Sequence, residues 1–562
     1  MPNRIRIFTF FIIILFGALF VRLFYIQVLH SNDYKEKGVN QYVAKRQDSE
    51  PRGTIYFSRQ DGTLISAATM NNGFILAIAP SMINNADDVF EQLSKVYSVD
   101  KELFYKKMEK KNDPYEEIAH RLSKEDAVKI QDLKIKGVSL SKELWRNYPG
   151  KESASHVLGL VAYKGKFEQG VYGLESFYEK ELAPPDQYVN VNPFAAAFRG
   201  LSKTSDSSRN NIVTTLEPEI QLSLEKTLKD VQEKYNSEGV GGIVMDPKTG
   251  EILAMAYTPS FDPNDPSSAT NEGVFINPAV SRVYEFGSVV KPLVVAAGLD
   301  MGVITEQTKF NDTGSIKVGV ETISNFDKKG RGSVTIREIL GQSLNTGMVM
   351  IGQKMGDANL RNYFTKYGLR SKTDIDLPSE INSLTKNLDS TRPIEFATAT
   401  FGQGFNVTPV QIVRAFSALA NGGVPVNPHL VKEIRSPDGK VVKTFTVSKL
   451  EPAIKKQTAT EISIVLTHVV DQSLHNGTLA FPHHSVAAKT GTAQMIGPNG
   501  KYSNDRYLHS MFAYLPASDP KYLVFLYNVN PKGVEYASAS LSEPLFSYLR
   551  FLISYGTIKP DR

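Results

Sequence analysis

Three short motifs carry reactive groups in an order that suits one kind of chemistry: Ser288-Val-Val-Lys291, Ser343-Leu-Asn345 and Lys489-Thr490-Gly491-Thr492. Ser288 and Lys291 stand three residues apart, so on a helix they share a face at about 5–6 Å. A serine hydroxyl is a poor nucleophile until a base takes its proton. Lysine can be that base only if its pKa of about 10.4 falls, through burial or nearby positive potential. Ser343 adds a hydroxyl able to pass a proton to a leaving amine, and Asn345 adds a carboxamide able to orient a backbone. Lys489, Thr490 and Thr492 suit a carboxylate, while Gly491 lets the backbone approach a ligand closely. A backbone N–H of this run could pair with that of Ser288 as an oxyanion hole. Together these are the parts of an attack on a peptide-like carbonyl through an acyl-enzyme.

Each motif needs an element to hold it, and the chain contains competing copies. Gly287 allows a tight entry, Pro292 is tolerated in a first turn, and residues 293–299 continue as an apolar helix. Ser-x-x-Lys recurs at Ser98/Lys101, Ser139/Lys142, Ser383/Lys386 and Ser518/Lys521 in polar or loop-like surroundings, and at Ser223/Lys226 inside a charged helix. Only Ser288 opens a helix leading into an apolar run. Taken alone, Ser343-Leu-Asn345 reads more readily as a helix-capping turn, and Ser208-Arg-Asn210 repeats its form. Lys248-Thr-Gly250 repeats the third motif, but reads as the turn of a β-hairpin between apolar runs at 240–246 and 251–257. Lys489 instead follows Val486-Ala-Ala488, which suits a strand at the edge of a site.

Around these motifs, helices are predicted over about 218–235 and 542–555. Strands are predicted around 487–493, 509–515 and 521–529, with Asn499-Gly500 as a turn. Strands at both ends and helices between them imply one antiparallel sheet packed against a helical middle. Before this region, residues 30–209 alternate strand-like runs such as 73–79 with helical stretches such as 87–96, and carry no catalytic constellation. The polar run 202–210 reads as a linker and marks the boundary between the two regions.

The 562 residues imply two or three domains, and 41% hydrophobic with 22% charged residues describes a globular chain. A net charge of +5 without a concentrated basic stripe argues against nucleic-acid binding. The absence of cysteine excludes disulfides, thiolate catalysis and cysteine metal sites, and fits an extracytoplasmic protein. Residues 7–29 are apolar except for Thr9, Arg22 and Gln27, long enough to cross a bilayer core of about 30 Å. No small-x-small cleavage site follows, so a signal anchor is expected: residues 1–6 as a cytoplasmic head, 7–29 as a transmembrane helix, and the bulk of the chain outside the cell membrane.

Rival constellations are missing: there is no Gly-x-Ser-x-Gly elbow, His-Glu-x-x-His or P-loop. His483-His484 lacks a further ligand at metal spacing and reads as surface, so no metal or cofactor is expected.

With the three motifs in this order, the chain resembles the class B penicillin-binding proteins, monofunctional peptidoglycan D,D-transpeptidases. The resemblance extends to Asn277-Pro-Ala-Val, Tyr284-Glu-Phe-Gly-Ser-Val-Val-Lys-Pro292, Phe401-Gly-Gln-Gly-Phe-Asn-Val-Thr-Pro-Val-Gln411, Ala420-Asn-Gly-Gly423 and Met255-Ala-Tyr-Thr-Pro-Ser-Phe-Asp-Pro-Asn264. Pro51-Arg-Gly53 and Gly170-Val-Tyr-Gly-Leu-Glu175 look like the family's non-catalytic pedestal. Phe286 stands where proline is common, Ala488 where glycine is common, and the segment 56–62 is longer than usual; none of these removes a catalytic group.

The resemblance implies an α+β chain: transmembrane helix, elongated mixed α/β pedestal over 30–209, and a serine β-lactamase-like transpeptidase domain over 210–562. It implies that Ser288 attacks the D-Ala-D-Ala carbonyl of a stem peptide and that Lys291 takes its proton. Ser343, linked to Lys489, would return a proton to departing D-alanine, and Asn345 would hold the substrate amide. Thr490, Gly491 and Thr492 would bind the substrate, the two threonines through its carboxylate or that of a β-lactam, with the N–H groups of Ser288 and Thr492 as the oxyanion hole. Implied partners are stem peptides of the lipid-linked precursor polymer, β-lactams, the cytoplasmic membrane, a membrane glycosyltransferase and other divisome proteins. Phe396–Gln403 and His509-Ser-Met-Phe-Ala-Tyr-Leu-Pro516 resemble the septal type more than the elongation type. A D,D-carboxypeptidase, a β-lactamase and a penicillin sensor without turnover remain the alternatives.

Overall fold

The computed structural model describes residues 51–164, 167–183, 209–269, 271–448, 450–497 and 500–562, with Val43–Lys45, Tyr188–Asn190 and a few residues between 10 and 25. Almost all of the expected head and anchor (1–29), most of the linker (202–208) and Asn499 lie outside the described residues. Among the described residues, no helix is long and apolar enough to cross a membrane.

The chain divides into two compact units. One comprises residues 1–52 and 183–209, in which Val43–Lys45 pairs antiparallel with Tyr188–Asn190. The other comprises residues 53–182 and 210–562 and carries all three motifs.

Within the larger unit, the first sheet is built from segments on both sides of the linker. Strands β1 (Ile55–Ser58), β2 (Leu64–Ile78), β3 (Glu116–Leu122) and β4 (Val138–Asn147) precede the linker. Strand β5 (Asn211–Thr214) follows it and pairs parallel with β1. Helix α1 (Pro218–Tyr235) and strands β6 (Gly239–Met245) and β7 (Ile252–Thr258) come next, then helices α2 (Lys291–Asp300), α3 (Ile336–Gly341), α4 (Asn345–Met355) and α5 (Pro409–Ala420). Strands β8 (Val431–Arg435) and β9 (Val441–Thr444) complete the first sheet in the order β9-β8-β5-β1-β2-β3, with β4 paired to the other edge of β2. Residues before and after the linker therefore share one hydrogen-bonded sheet.

The second sheet holds the chemistry. After helix α6 (Lys456–His468) come β10 (Ala487–Ile496), β11 (Tyr502–Leu515) and β12 (Tyr522–Val529), then helix α7 (Ala537–Tyr555). The order is β7-β6-β12-β11-β10, antiparallel throughout, which leaves β10 at an edge.

Local sequence explains the supporting elements. Glu217 caps α1 by accepting the Ile220 N–H at 2.9 Å, with Pro218 in the first turn. Ile220, Leu224, Leu228 and Val231 then form one buried stripe. That stripe and the Leu541, Leu545 and Leu549 face of α7 cover one side of the second sheet. The helical middle covers the other, where the Phe416 ring of α5 stacks on Phe512 of β11 at 4.0 Å. The expectation of one sheet against a helical middle is thus short by a layer. The helices predicted at 218–235 and 542–555 supply that layer, and they make β6 and β12 buried along their whole length. Burying a leucine-sized side chain contributes about 1.5–3 kcal/mol, so this face holds a large share of the stability.

Candidate active site

Ser288 lies in a single 3-10 turn, Gly287–Val290, that runs into α2. Gly287 adopts φ +62°, and a Cβ there would stand 2.8 Å from the Thr492 carbonyl oxygen. Its N–H donates to Gly402 O at 3.1 Å. Gly491 is just as confined: a Cβ would fall 2.5 Å from Phe286 O and 2.9 Å from Val289 N. The nucleophile turn and β10 touch backbone to backbone, which is why both positions lack a side chain. Phe286 is buried and meets Phe525 edge-on at 5.1 Å. Ala488 is buried on the face covered by α1 and α7.

Lys291 is 0% exposed at the start of α2. Its Nζ donates to Ser343 O at 2.6 Å and Asn345 Oδ1 at 2.8 Å, and lies 3.2 Å from Ser343 Oγ. Burial, with the charge of Lys489 added, pushes its pKa well below the usual 10.5. A neutral amine has two hydrogens and a lone pair. The two carbonyl acceptors take both hydrogens and leave the lone pair for a hydroxyl. Lys489, 3% exposed, donates to Thr490 O at 2.9 Å and to the same Ser343 Oγ at 3.2 Å. Burial lowers its pKa from 10.5 to about 7.

Ser343 stands between the two lysines because α3 ends just before it and its own φ is +55°. A reciprocal Thr335–Glu338 capping box starts α3, and α4 begins at Asn345. Asn345 Oδ1 accepts from Lys291, and its amide donates one hydrogen to Ser324 O at 3.0 Å, leaving the other for a ligand. Beneath it, the buried Asp312 carboxylate collects Asn325, Thr346 and the N–H groups of Gly314 and Arg331. Burial alone would raise its pKa, but these donors hold it below the usual value.

On β10, the carbonyl of Thr490 faces Lys489 and not β11. In an antiparallel pair a residue's N–H and C=O point the same way, and the direction alternates along the strand. Thr492, two residues on, therefore also presents its backbone at the open edge beside Ser288. Its side chain was expected to be free for an anion, yet Thr492 Oγ1 accepts the Ala537 N–H at 3.0 Å. That contact uses an oxygen lone pair and leaves the hydroxyl proton to donate.

The competing copies lie elsewhere. Lys226 pairs with Asp230 on the exposed side of α1, and Lys248 pairs with Asp519 at the β6–β7 turn. His484 Nε2 contacts Ile558 O at 3.1 Å. Two positioning residues escaped the sequence reading. Buried Ser510 donates to Phe286 O at 2.8 Å, tying the nucleophile turn to β11. Glu285 accepts from the Gly404 N–H and from the Tyr502 hydroxyl, which holds the 401–405 loop and the β10–β11 hairpin to the same turn. Ser510 lies between His509 and Met511, and nothing in its neighbours marks it.

Comparison with known proteins identifies the family. The family model for the penicillin binding protein transpeptidase domain matches residues 240–549, and that for the penicillin-binding protein dimerisation domain matches 47–215. The chain is 30% identical over 557 residues to stage V sporulation protein D of Bacillus subtilis, covering 97% of this chain and 84% of that one. It is 27% identical over 453 residues to the peptidoglycan D,D-transpeptidase FtsI of Escherichia coli, covering 79% and 73%. The crystal structure of penicillin binding protein 2X from Streptococcus thermophilus superimposes with a TM-score of 0.75 at 22% identity, over 92% of this chain and 81% of that one. With a transpeptidase domain behind a dimerisation domain, the chain belongs to the class B penicillin-binding proteins.

Proposed function

We propose that this chain cross-links peptidoglycan by D,D-transpeptidation through an acyl-enzyme on Ser288, and that β-lactams acylate the same hydroxyl. The observation that carries the reading is one hydroxyl, Ser343 Oγ, held 3.2 Å from two buried lysines beneath the Ser288 turn. Neutral Lys291 accepts the Ser288 proton as Oγ bonds to the carbonyl carbon of the penultimate D-alanine. The oxyanion lies between the N–H groups of Ser288 and Thr492. As the peptide C–N bond breaks, Ser343 donates to the departing D-alanine amine and is reprotonated from the lysines. Asn345 orients the substrate amide with its remaining hydrogen, and Thr490 and Thr492 hold the terminal carboxylate. The amine of a neighbouring stem then attacks the ester, forms the cross-link and releases Ser288.

In this reading residues 7–29 anchor the chain in the cell membrane, 30–209 form the pedestal and 210–562 the catalytic domain. A membrane glycosyltransferase supplies glycan strands, and the site of action is the septum. Action during sporulation is the second reading, favoured by the stage V sporulation protein among the relatives. A fluorescent fusion that labels the sidewall evenly in dividing cells would sink the septal assignment. The chemistry is tested by Ser288→Ala, which is expected to abolish labelling by a fluorescent penicillin while the melting curve is kept. Labelling that persists refutes the nucleophile assignment, and released D-alanine without cross-linked dimers would make the enzyme a carboxypeptidase.

A further inference from the structure

Behind Thr492, on the strand next to it, stands a histidine that neither the mechanism nor the motifs use. His509 of β11 is the direct cross-strand partner of Thr492 and is 0% exposed. Its Nε2 lies 3.0 Å from Glu535 O, and its Nδ1 lies 2.7 Å from Ser540 Oγ. A carbonyl oxygen can only accept, so Nε2 carries the hydrogen, and Nδ1 is left to accept the Ser540 hydroxyl. Burial lowers the His509 pKa from 6.5 to about 4, which keeps this tautomer at neutral pH.

Glu535 and Ser540 bracket the first turn of α7. Tyr536 precedes the first helical residue, Ala537, and provides no side-chain cap. The imidazole thus ties the residue before the cap to the fourth helical residue, the two positions that an apolar contact commonly staples at a helix start. Between those ties sits Ala537, whose N–H donates to Thr492 Oγ1. This N–H is one of the donors that a helix leaves unpaired at its N-terminus, where the backbone dipoles also present partial positive charge.

We propose that His509 is the positioning residue for anion recognition: by stapling the first turn of α7 it fixes the Ala537 N–H that orients the Thr492 hydroxyl toward the substrate carboxylate. This rests on the reading of Thr492 as a carboxylate ligand. With one lone pair of the hydroxyl oxygen committed to Ala537, its proton is turned away from α7, and the positive end of α7 stands behind it. Without the staple the turn is free to shift, and the hydroxyl loses its preferred direction while Ser288, Lys291 and Ser343 keep their contacts.

The test compares acylation of the full-length protein by benzylpenicillin and by its methyl ester, which has the same ring and no carboxylate. His509→Ala is expected to lower the second-order acylation constant for benzylpenicillin about tenfold or more, the scale of one lost hydrogen bond to a charged group. The loss should lie in the binding step, with the rate from the bound complex nearly unchanged, and the ester should be scarcely affected. His509→Gln, which keeps a donor for Glu535 O, should restore part of the loss. Equal losses for the two compounds, or a loss confined to the chemical step, would overturn the proposal. If His509→Ala does not fold, Ser540→Ala removes one of the two ties and decides the matter by the same selective loss. Failure of the underlying reading looks different: Thr492→Val would then leave the preference for the acid over the ester intact.

Discussion

Ser343 shares one hydroxyl between two lysines that the fold has stripped of water, and the charge of Lys489 makes Lys291 easier to deprotonate. Burial and the charge of Lys489 favour the neutral Lys291 needed to activate Ser288, and that charge is lost as pH rises through about 7, so the acylation rate should fall above about 7. Stopped-flow acylation from pH 5.5 to 9 measures this, and a flat profile would contradict it. The same burial weakens the fold. Lys489 binds its proton less tightly in the folded state than at the ordinary 10.5, so its cost is full below about pH 7 and fades towards 10.5. Lys489→Met should abolish acylation and raise the melting temperature, with the gain largest below pH 7. The motif residues were legible one by one, since the types and spacings of Ser288, Lys291 and Lys489 announce their chemistry. Ser510 and His509 were not legible, because their partners Phe286 and Ser540 lie 224 and 31 residues away in the chain.

Among the elements, α1, β6–β7, β10–β12 and α7 could be read from apolar periodicity and turn residues, because those signals are local. The second helical layer could not be read as a layer: periodicity gives a helix a buried face but does not say which sheet it lies on. Phe416 of α5 shows how much such a contact matters, stacked on Phe512 directly below the active-site sheet. Phe416→Ala should cost about 3–5 kcal/mol, read as a lowered urea midpoint with an unchanged slope. At the other end of the scale, Thr335→Ala removes the capping box that starts α3 and should cost about 1 kcal/mol. Because α3 ends just before Ser343, acylation should slow as well, whereas a cap remote from the site would change only the melting temperature.

Across the larger unit, the linker at 202–210 read as a boundary between two regions, but hydrogen bonding ignores that division. β5 lies parallel to β1, and the strands on either side of this pair come from opposite sides of the linker. Parallel pairing between distant segments leaves no turn signature in the sequence. The pedestal strands and the catalytic domain should accordingly melt in one transition. A chain truncated to begin at Asn210 should melt lower than the full chain, since β5 then loses β1. Two separate calorimetric transitions, or an unchanged melting temperature, would show that the shared sheet does not couple them.

The open edge of β10 has one more consequence. An unpaired strand edge is a standing invitation to other extended chains, and proteins ordinarily cover or break such edges to avoid aggregation. Here the turn that carries Ser288 lies against the strand at Gly491 and Thr492, which interrupts the free edge within the motif itself. The nucleophile turn is therefore also a guard: it admits the short end of a peptide and denies a longer strand the run of pairings that would make its attachment permanent.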